Sequence, residues 1–554
     1  MKRFSAILWS LLITAGLYAQ DVDALLGSMS RKEKIAQIII VAIDSQDTLH
    51  HAQQAQLAEE GLGGLIVMDD KLSDNLQLVN ELQAHSRIPM IVTIDGEWGA
   101  SMRYREFAQF PRAMQLGALT DEDFIYSVGQ KIGEELRELK IFANFAPVVD
   151  INNNPNNPVI NTRSFGEDRE KVANFGVQYM KGMRDAGVAG SAKHFPGHGD
   201  TDVDSHKGLP VLTFDRARLD SLELYPFRKQ IGAGVDMIMV GHLSVPALDS
   251  TGTPASISKP IVTDLLRNEL GYDGIIITDA LGMKGVAEGD VDASVAAYKA
   301  GADILLMPLD AQATIRDLDA AFERGELSEE DLNHRVRRML GLKARCGMLS
   351  DSYSPYVDTT ILPSLANRPK TRFLIQNISD RSMTVVKGSD NLPFRFHDNV
   401  AYVAFNATSE ASGEMYKELR RYGDIPRFDL PVDATKAQID SVGKLVRRYK
   451  KIIVGFHSGK PVPSSGGPKR FARIDPQQLE WISRWADKHK LFGCYMGNPY
   501  DLNFLPAHKS FTSFIICYSD NEFNNRAAAR AITVAGTSGV LPVASGGYPC
   551  GYRD

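Results

Sequence analysis

From residue 30 to residue 308 the chain repeats one pattern: a short β-branched apolar run ending in Gly, Asp, His or Asn, then a longer segment with helical periodicity. The runs occupy residues 37–41, 64–68, 90–95, 142–150, 188–194, 237–242, 274–279 and 303–307. A run that is apolar at consecutive positions has both faces buried, which is what a parallel strand covered by helices requires. Eight strand–helix units in about 300 residues is the count of a closed (β/α)8 TIM-type barrel, with an open doubly wound α/β sheet as the alternative. Polar residues at the C-terminal ends of five runs favour the barrel: Asp95, Asp150, His194, His242 and Asp279. In a barrel those ends converge on one mouth.

The segment SEEDLNHRVRRMLGLKARC (328–346) opens with a Ser cap and acidic residues and closes with basic ones, the polarity of a helix that ends a domain. Residues 350–371 carry Pro355, Pro363 and Pro369 without sustained periodicity and read as a linker. Beyond them, apolar runs at 400–405, 451–456, 491–496 and 511–517 alternate with helical stretches such as 437–449. That is the pattern of a second, smaller α/β domain. The expected organisation is a leader over 1–19, a barrel over 20–349, a linker over 350–371 and an α/β C-terminal domain over 372–554.

Composition adds exclusions. The 554 residues include 62 Lys+Arg against 68 Asp+Glu, net −6, with 44% hydrophobic and 23% charged positions. This is an ordinary globular balance and excludes a disordered chain, a fibre or a coiled coil. A mildly acidic chain with no Lys/Arg block lacks the footprint of a nucleic-acid partner. Residues 1–19, MKRFSAILWSLLITAGLYA, run from a basic start through 16 uncharged residues to small ones, the signature of a cleaved export signal. An N-terminal anchor left in place is the other reading of that stretch. Removal of Lys2 and Arg3 leaves 60 basic against 68 acidic residues, net −8. The expected product is soluble and periplasmic or secreted, with no membrane span. Cys346, Cys494, Cys517 and Cys550 are scattered without metal or redox spacing, and read mostly as buried small hydrophobes.

Candidate chemistry concentrates in SAKHFPGHGDTDVDSHKGL (191–209), where three His and three Asp lie between a strand end and the next helix. Three readings compete. Asp200, Asp202 and Asp204 alternate as in a calcium loop, but Ser205 stands where Gly is needed and Val211 where Glu is needed. The second reading is a solvated acidic loop. In the third, Asp204 is two residues from His206 on a turn, close enough to hydrogen-bond the imidazole, fix its tautomer and make it an acid/base. At the seventh run, Ile275 to Thr278 deliver Asp279 from a stiff apolar strand into the mouth. A rigidly mounted carboxylate facing an anomeric carbon is suited to nucleophilic attack, although a strand-end Asp can also simply cap the next helix.

KHFPGHGDTDVDSH, taken with Ile94-Asp95-Gly96-Glu97-Trp98-Gly99…Arg103, Phe145-Ala146-Pro147-Val148-Val149-Asp150, Thr162-Arg163-Ser164-Phe165-Gly166 and Thr278-Asp279-Ala280-Leu281-Gly282-Met283, resembles glycoside hydrolase family 3. Within it the match is to the β-N-acetylglucosaminidase branch. The resemblance runs over residues 29–346, and residues 372–554 look more weakly like the α/β domain that often follows. It implies that Asp279 is the nucleophile, and that Asp204 with His206 is the dyad that replaces a carboxylic acid/base. Lys193, His194, Arg163 and Asp95 match positions that bind the hydroxyls of the terminal sugar. Arg103, Asp150 and His242 complete the candidate binding set, the last two in supporting roles. The familiar pattern after strand three is altered by Trp98 and Ala100, on the side of the leaving group. Trp98 is either a stacking platform or ordinary packing.

The activity implied is an exported, retaining exo-β-N-acetylglucosaminidase that removes terminal GlcNAc from peptidoglycan fragments, muropeptides or other glycans. No cofactor and no metal are implied. The alternatives are a family 3 β-glucosidase or β-xylosidase, a β-GlcNAc phosphorylase, and a catalytically silent glycan-binding protein.

Overall fold

The computed structural model describes residues 22–43, 45, 48–68, 70–204, 208–287, 293–366, 368–393, 399–407, 410–458, 474–534 and 537–554. The leader over 1–19 and His206 lie outside the described residues. The chain divides into two compact units. One comprises Met1–Gln109, Tyr126–Asp150 and Gly176–Asn367, the other Phe110–Ile125, Ile151–Phe175 and Arg368–Asp554.

The first unit is the barrel. Its strands are β1 (Ile39–Ile43), β2 (Gly64–Val67), β3 (Ile91–Ile94), β4 (Ile141–Asn144), β5 (Ala189–Phe195), β6 (Met237–Val240), β7 (Ile275–Thr278) and β8 (Leu305–Leu306). All neighbours pair in parallel in the order β7-β6-β5-β4-β3-β2-β1-β8. A parallel bridge between Ile277 and Ile304 joins the two ends, with the Thr278 N–H donating to the Ile304 carbonyl at 3.2 Å. Sequences such as GLIV, IVTI, MIMV and IIIT are buried at every position, so no residue alternates toward water. Gly64 is required where it stands: a Cβ there would lie 2.6 Å from the Ile91 carbonyl oxygen.

Inward-pointing Ile40, Ile66, Ile91, Phe142, Met237 and Ile275 form one core cluster with Met339, Leu342 and Met348, contributed by the helix Glu329–Arg345 and the turn after it. Each such side chain, fully buried, contributes about 1.5–3 kcal/mol. The helix is capped by Ser328, which accepts from the Asp331 N–H, and its charges run acidic to basic along the axis. One expectation needs shortening. The fourth run, read as 142–150, is regular only to Asn144, because Pro147 has no N–H to give to a ladder. Beyond it, contact with β5 continues through single bonds such as Val149 N–H to the Lys193 carbonyl at 2.9 Å.

The second unit holds a six-stranded sheet of β9 (Thr384–Lys387), β10 (Val400–Phe405), β11 (Arg427–Leu430), β12 (Lys451–Phe456), β13 (Lys490–Tyr495) and β14 (Ser513–Ile516), in the order β11-β10-β12-β13-β14-β9. Only β9 is antiparallel. The chain steps from β10 to β11 on one side, then crosses to β12 on the other, as in doubly wound sheets. Apolar clusters cover both faces, one around Phe456 and Phe514, the other around Tyr402 and Ile453. Sequence patterning missed β9 and β11. Strand β11 is an edge with half-exposed Arg427 and exposed Asp429, so it carries no apolar run.

The boundary between the units is not a single cut near residue 350. Residues 110–125 and 151–175 belong to the second unit through polar contacts that periodicity cannot report. Asn152 donates from Nδ2 to the Tyr500 hydroxyl at 3.0 Å, and that hydroxyl donates back to the Asn152 carbonyl at 2.7 Å. Asn524 donates to Gln115 Oε1 at 3.0 Å, and Gln115 donates to Ser382 Oγ at 3.0 Å. The four cysteines are free thiols, three buried and Cys550 half-buried. Among the described residues no helix is long and apolar enough to cross a membrane.

Candidate active site

The polar residues of the first unit cluster at the C-terminal ends of the barrel strands. Asp95 follows β3, and Lys193 and His194 lie within β5. Lys193 Nζ is 2.7 Å from Asp95 Oδ1 and 3.0 Å from Glu97 Oε1, while Arg103 Nη2 is 3.1 Å from Asp95 Oδ2. Two carboxylates thus share two cations around a lysine that is only 2% exposed. Burial alone would raise the Asp95 pKa, but the charges of Lys193 and then Arg103 outweigh it and hold the group below the ordinary carboxylate value. The Asp95 side chain keeps 23% of its surface exposed, so this network presents ionised acceptors and fixed donors to the mouth.

Asp150 and His194 form a second network. The His194 ring donates from Nδ1 to Asp150 Oδ2 at 2.7 Å, and the backbone N–H groups of His194 and His198 donate to Asp150 Oδ1 at 3.1 and 2.7 Å. Asp150 is buried, which disfavours its charge, yet His194 beside it keeps its pKa low. Its side chain is committed to the protein: it orients His194 and anchors the start of the His-rich loop. His198 continues the anchoring, its Nδ1 lying 2.7 Å from Thr201 Oγ1 and its ring meeting His194 edge-on at 5.8 Å.

Asp279 follows β7. Its Oδ1 accepts from the Ala280 N–H at 2.8 Å, and its own N–H donates to the Val240 carbonyl at 2.9 Å. The peptide after it is held by His242, whose Nε2 donates to the Ala280 carbonyl at 2.9 Å while Nδ1 meets Ser256 Oγ at 2.7 Å. His242 is fully buried, so its place is behind Asp279 rather than against a ligand. Burial pushes the Asp279 pKa up, but His242, His194, the Ala280 N–H and Lys193 together bring it down to about 2. A carboxylate so placed is ionised at neutral pH and a poor proton donor, as a nucleophile must be.

Asp200 lies 3.3 Å from Arg218, which also meets Glu223 at 3.0 Å. Among the described residues, no group of three or more His, Cys, Asp and Glu side chains is arranged to hold a metal ion. Asp204 is half-buried, with its carbonyl accepting from the Gly208 N–H at 3.1 Å. Arg163 stands in a 310 turn (Asn161–Arg163) of the second unit and donates to the Val159 carbonyl at 3.3 Å. Trp98 is 4% exposed and serves as packing, not as an open platform.

The residues that sequence reasoning did not single out are Glu97, Ser256 and Thr201. Glu97 was visible in the DGEWG motif, two positions from Asp95. Nothing in the sequence distinguishes Ser256 or Thr201 from other loop hydroxyls.

The chain is similar to several known proteins. The glycosyl hydrolase family 3 N terminal domain matches residues 30–342. A β-hexosaminidase A from Pseudoalteromonas piscicida is 36% identical over 377 residues, which is 62% of this chain and 62% of that protein. A β-N-acetylglucosaminidase/β-glucosidase from Cellulomonas fimi is 30% identical over 355 residues, covering 61% of this chain and 62% of that one. The chain therefore spans less than two thirds of the length of these relatives. Among solved structures, a glycoside hydrolase family 3 β-N-acetylglucosaminidase from a Paenibacillus species superposes with a TM-score of 0.74 at 30% identity, covering 93% of this chain and 99% of that one.

Proposed function

The chain belongs to glycoside hydrolase family 3, and from that premise we propose that it is a retaining exo-β-N-acetylglucosaminidase. The observation that carries the reading is Asp279: a carboxylate fixed at a strand end, ionised, and backed by buried His242. Its Oδ1 is engaged by the Ala280 N–H, which leaves Oδ2 to attack C1 of a terminal sugar. In the first step the C1–oxygen bond to the leaving group breaks, a C1–Oδ2 bond forms, and His206 protonates the departing oxygen. In the second, His206 takes a proton from water, the water oxygen bonds to C1, and Asp279 is released. Asp204 orients the imidazole throughout. One water is consumed per bond cleaved. Asp95, Lys193 and Arg103 supply acceptors and donors for sugar hydroxyls. Arg163 is a sugar-binding candidate by its motif alone.

The relatives named as β-hexosaminidase and β-N-acetylglucosaminidase support the choice of GlcNAc, and the dual name of the Cellulomonas protein keeps glucosides within the test. The basic, apolar and small-residue order of positions 1–19 supports the reading of an exported protein that acts on cell-wall fragments. The test is release of the aryl group from aryl β-GlcNAc and aryl β-glucoside in parallel, with Asp279→Ala and His206→Ala as controls. Preference for GlcNAc lost in both variants is the expected result. Full activity in His206→Ala overturns the mechanism, and GlcNAc-1-phosphate formed in phosphate buffer identifies a phosphorylase.

A further inference from the structure

The net charge of −6 conceals a local concentration of positive charge in the second unit. Residues 444–451 read KLVRRYKK and residues 488–490 read KHK, with five and two Lys or Arg respectively and no Asp or Glu in either. Along the chain the stretches lie apart, and Leu445, Val446 and Tyr449 interrupt the first, so neither forms a long basic block. The sheet joins them. Lys451 opens β12, Lys490 opens β13, and the two are paired residues of neighbouring parallel strands, with the Lys490 N–H donating to the Lys450 carbonyl at 3.0 Å. His489 Nδ1 lies 2.7 Å from the Tyr449 carbonyl, a second link between the stretches.

Three features of this sheet end bear on what it binds. Lys444, Arg447, Arg448, Lys450, Lys488 and Lys490 are exposed. The acids nearest in sequence scarcely offset them: Asp440 and Glu480 are paired with Lys436 and Arg484 at 2.6 and 3.0 Å, which leaves Asp487. Cations so concentrated raise the local potential and draw anionic partners. Leu445, the last residue of the helix Lys436–Leu445, is 58% exposed and stands between Lys444 and the 310 turn Val446–Arg448. The rings in and next to these segments, Tyr449 and Trp485, pack on the apolar cluster around Phe456, and Arg448 Nε donates to the Tyr449 hydroxyl at 2.9 Å. An open aliphatic side chain among cations suits a bilayer boundary, whereas base stacking needs an open ring face.

We propose that this end of the sheet docks on an anionic phospholipid surface. The ammonium and guanidinium groups face headgroup phosphates, and Leu445 enters the acyl boundary between them. Clusters of about 4–8 Lys and Arg hold a protein to such a surface through additive attraction that salt screens. An apolar side chain beside them adds a contribution that depends on the acyl layer and not on charge. Substrate turnover plays no part in this docking, so its test stands apart from the glycosidase reading.

The experiment is cosedimentation of the whole chain with vesicles of phosphatidylcholine alone and of phosphatidylcholine mixed with phosphatidylglycerol, with a duplex oligonucleotide as a second polyanion. The neutral vesicles measure whatever affinity residues 1–19 confer. Affinity for the anionic vesicles is expected to exceed that for the neutral ones by about 100-fold at low salt, and to fall toward it as salt rises to about 0.5 M. Arg447→Gln and Lys490→Gln each weaken anionic-vesicle binding about fivefold, while Lys32→Gln, at an exposed lysine of the barrel, stays within about twofold of wild type. Leu445→Ser weakens vesicle binding about threefold or more and leaves oligonucleotide binding unchanged. Every substituted position is exposed, and melting temperatures near that of wild type show that each variant is folded. Equal affinity for the two kinds of vesicle overturns the proposal, as does a loss in Lys32→Gln that matches the loss in the patch variants. Oligonucleotide binding tighter than vesicle binding, with Leu445→Ser behaving as wild type on both, also overturns it and assigns the patch to nucleic acid.

Discussion

His242 Nε2 reaches the carbonyl of Ala280 at 2.9 Å, so a fully buried imidazole fixes the peptide immediately after Asp279. Ser256 holds the other ring nitrogen, which leaves the ring no freedom to turn. The consequence is a positioning residue that acts through its neighbour. His242→Gln is expected to lower kcat by up to about 10²-fold with a much smaller change in KM, since a small displacement of a reacting group costs that much. It should also move the acid limb of the pH–rate profile to higher pH, because the His242 charge helps hold Asp279 low. A purely structural role would leave that limb in place.

The Asp279 pKa of about 2 lies below its ordinary value of 3.8. A group whose folded pKa is depressed contributes stability that is full above the unfolded value and lost as pH falls through the folded one. Thermal melts of wild type and Asp279→Asn should therefore converge as pH drops from about 4 to about 2. At pH 7 the Asn variant should retain its fold while losing at least about 10³-fold in kcat. Residual activity within tenfold of wild type would remove Asp279 from the nucleophile's role.

Lys193 is buried between Asp95 and Glu97. Removing one carboxylate leaves a buried ammonium with half its compensation, so Glu97→Gln should destabilise the folded state by about 2 kcal/mol or more. A double cycle with Lys193→Met measures the coupling directly. Near-additivity of the two changes in urea denaturation would show that the pair does not interact as the 3.0 Å separation indicates.

Lys343 is fully buried and its ammonium donates to Gln37 Oε1, and burial lowers its pKa to about 7 from 10.5. Below about 7 the folded state must hold a buried charge, and that penalty fades as pH rises toward the unfolded value. Lys343→Met should accordingly raise Tm at pH 6. The gain should shrink, and then reverse, by pH 10, where a neutral amine keeps its bond to Gln37. A Tm difference that does not vary with pH would place the lysine in a solvated site.

Much of the fold was legible because its signals are local. Runs such as GLIV and IIIT declare strands buried on both faces, and the acid-to-base order of SEEDLNHRVRRMLGLKARC declares a helix and its direction. Strand β11 was not legible, because an edge strand has one row of neighbours and its sequence RFDL carries no apolar run. Trp98 was legible only as an alternative, and its burial decided for packing.

The sequence by itself determined the eight-unit barrel, the order of the domains' elements and the residue types gathered at the strand ends, because each of these follows from the spacing of apolar and polar groups along a short stretch of chain. Only the tertiary structure decided which carboxylate meets which cation, that Asp150 and His242 face protein partners, and that residues 110–125 and 151–175 join the second unit. These outcomes depend on contacts between residues tens to hundreds of positions apart, such as Asn152 with Tyr500 and Lys193 with Asp95. A polar side chain satisfies its hydrogen bonds with whatever partner the closed fold brings within about 3 Å, and the chain's local pattern carries no record of that partner.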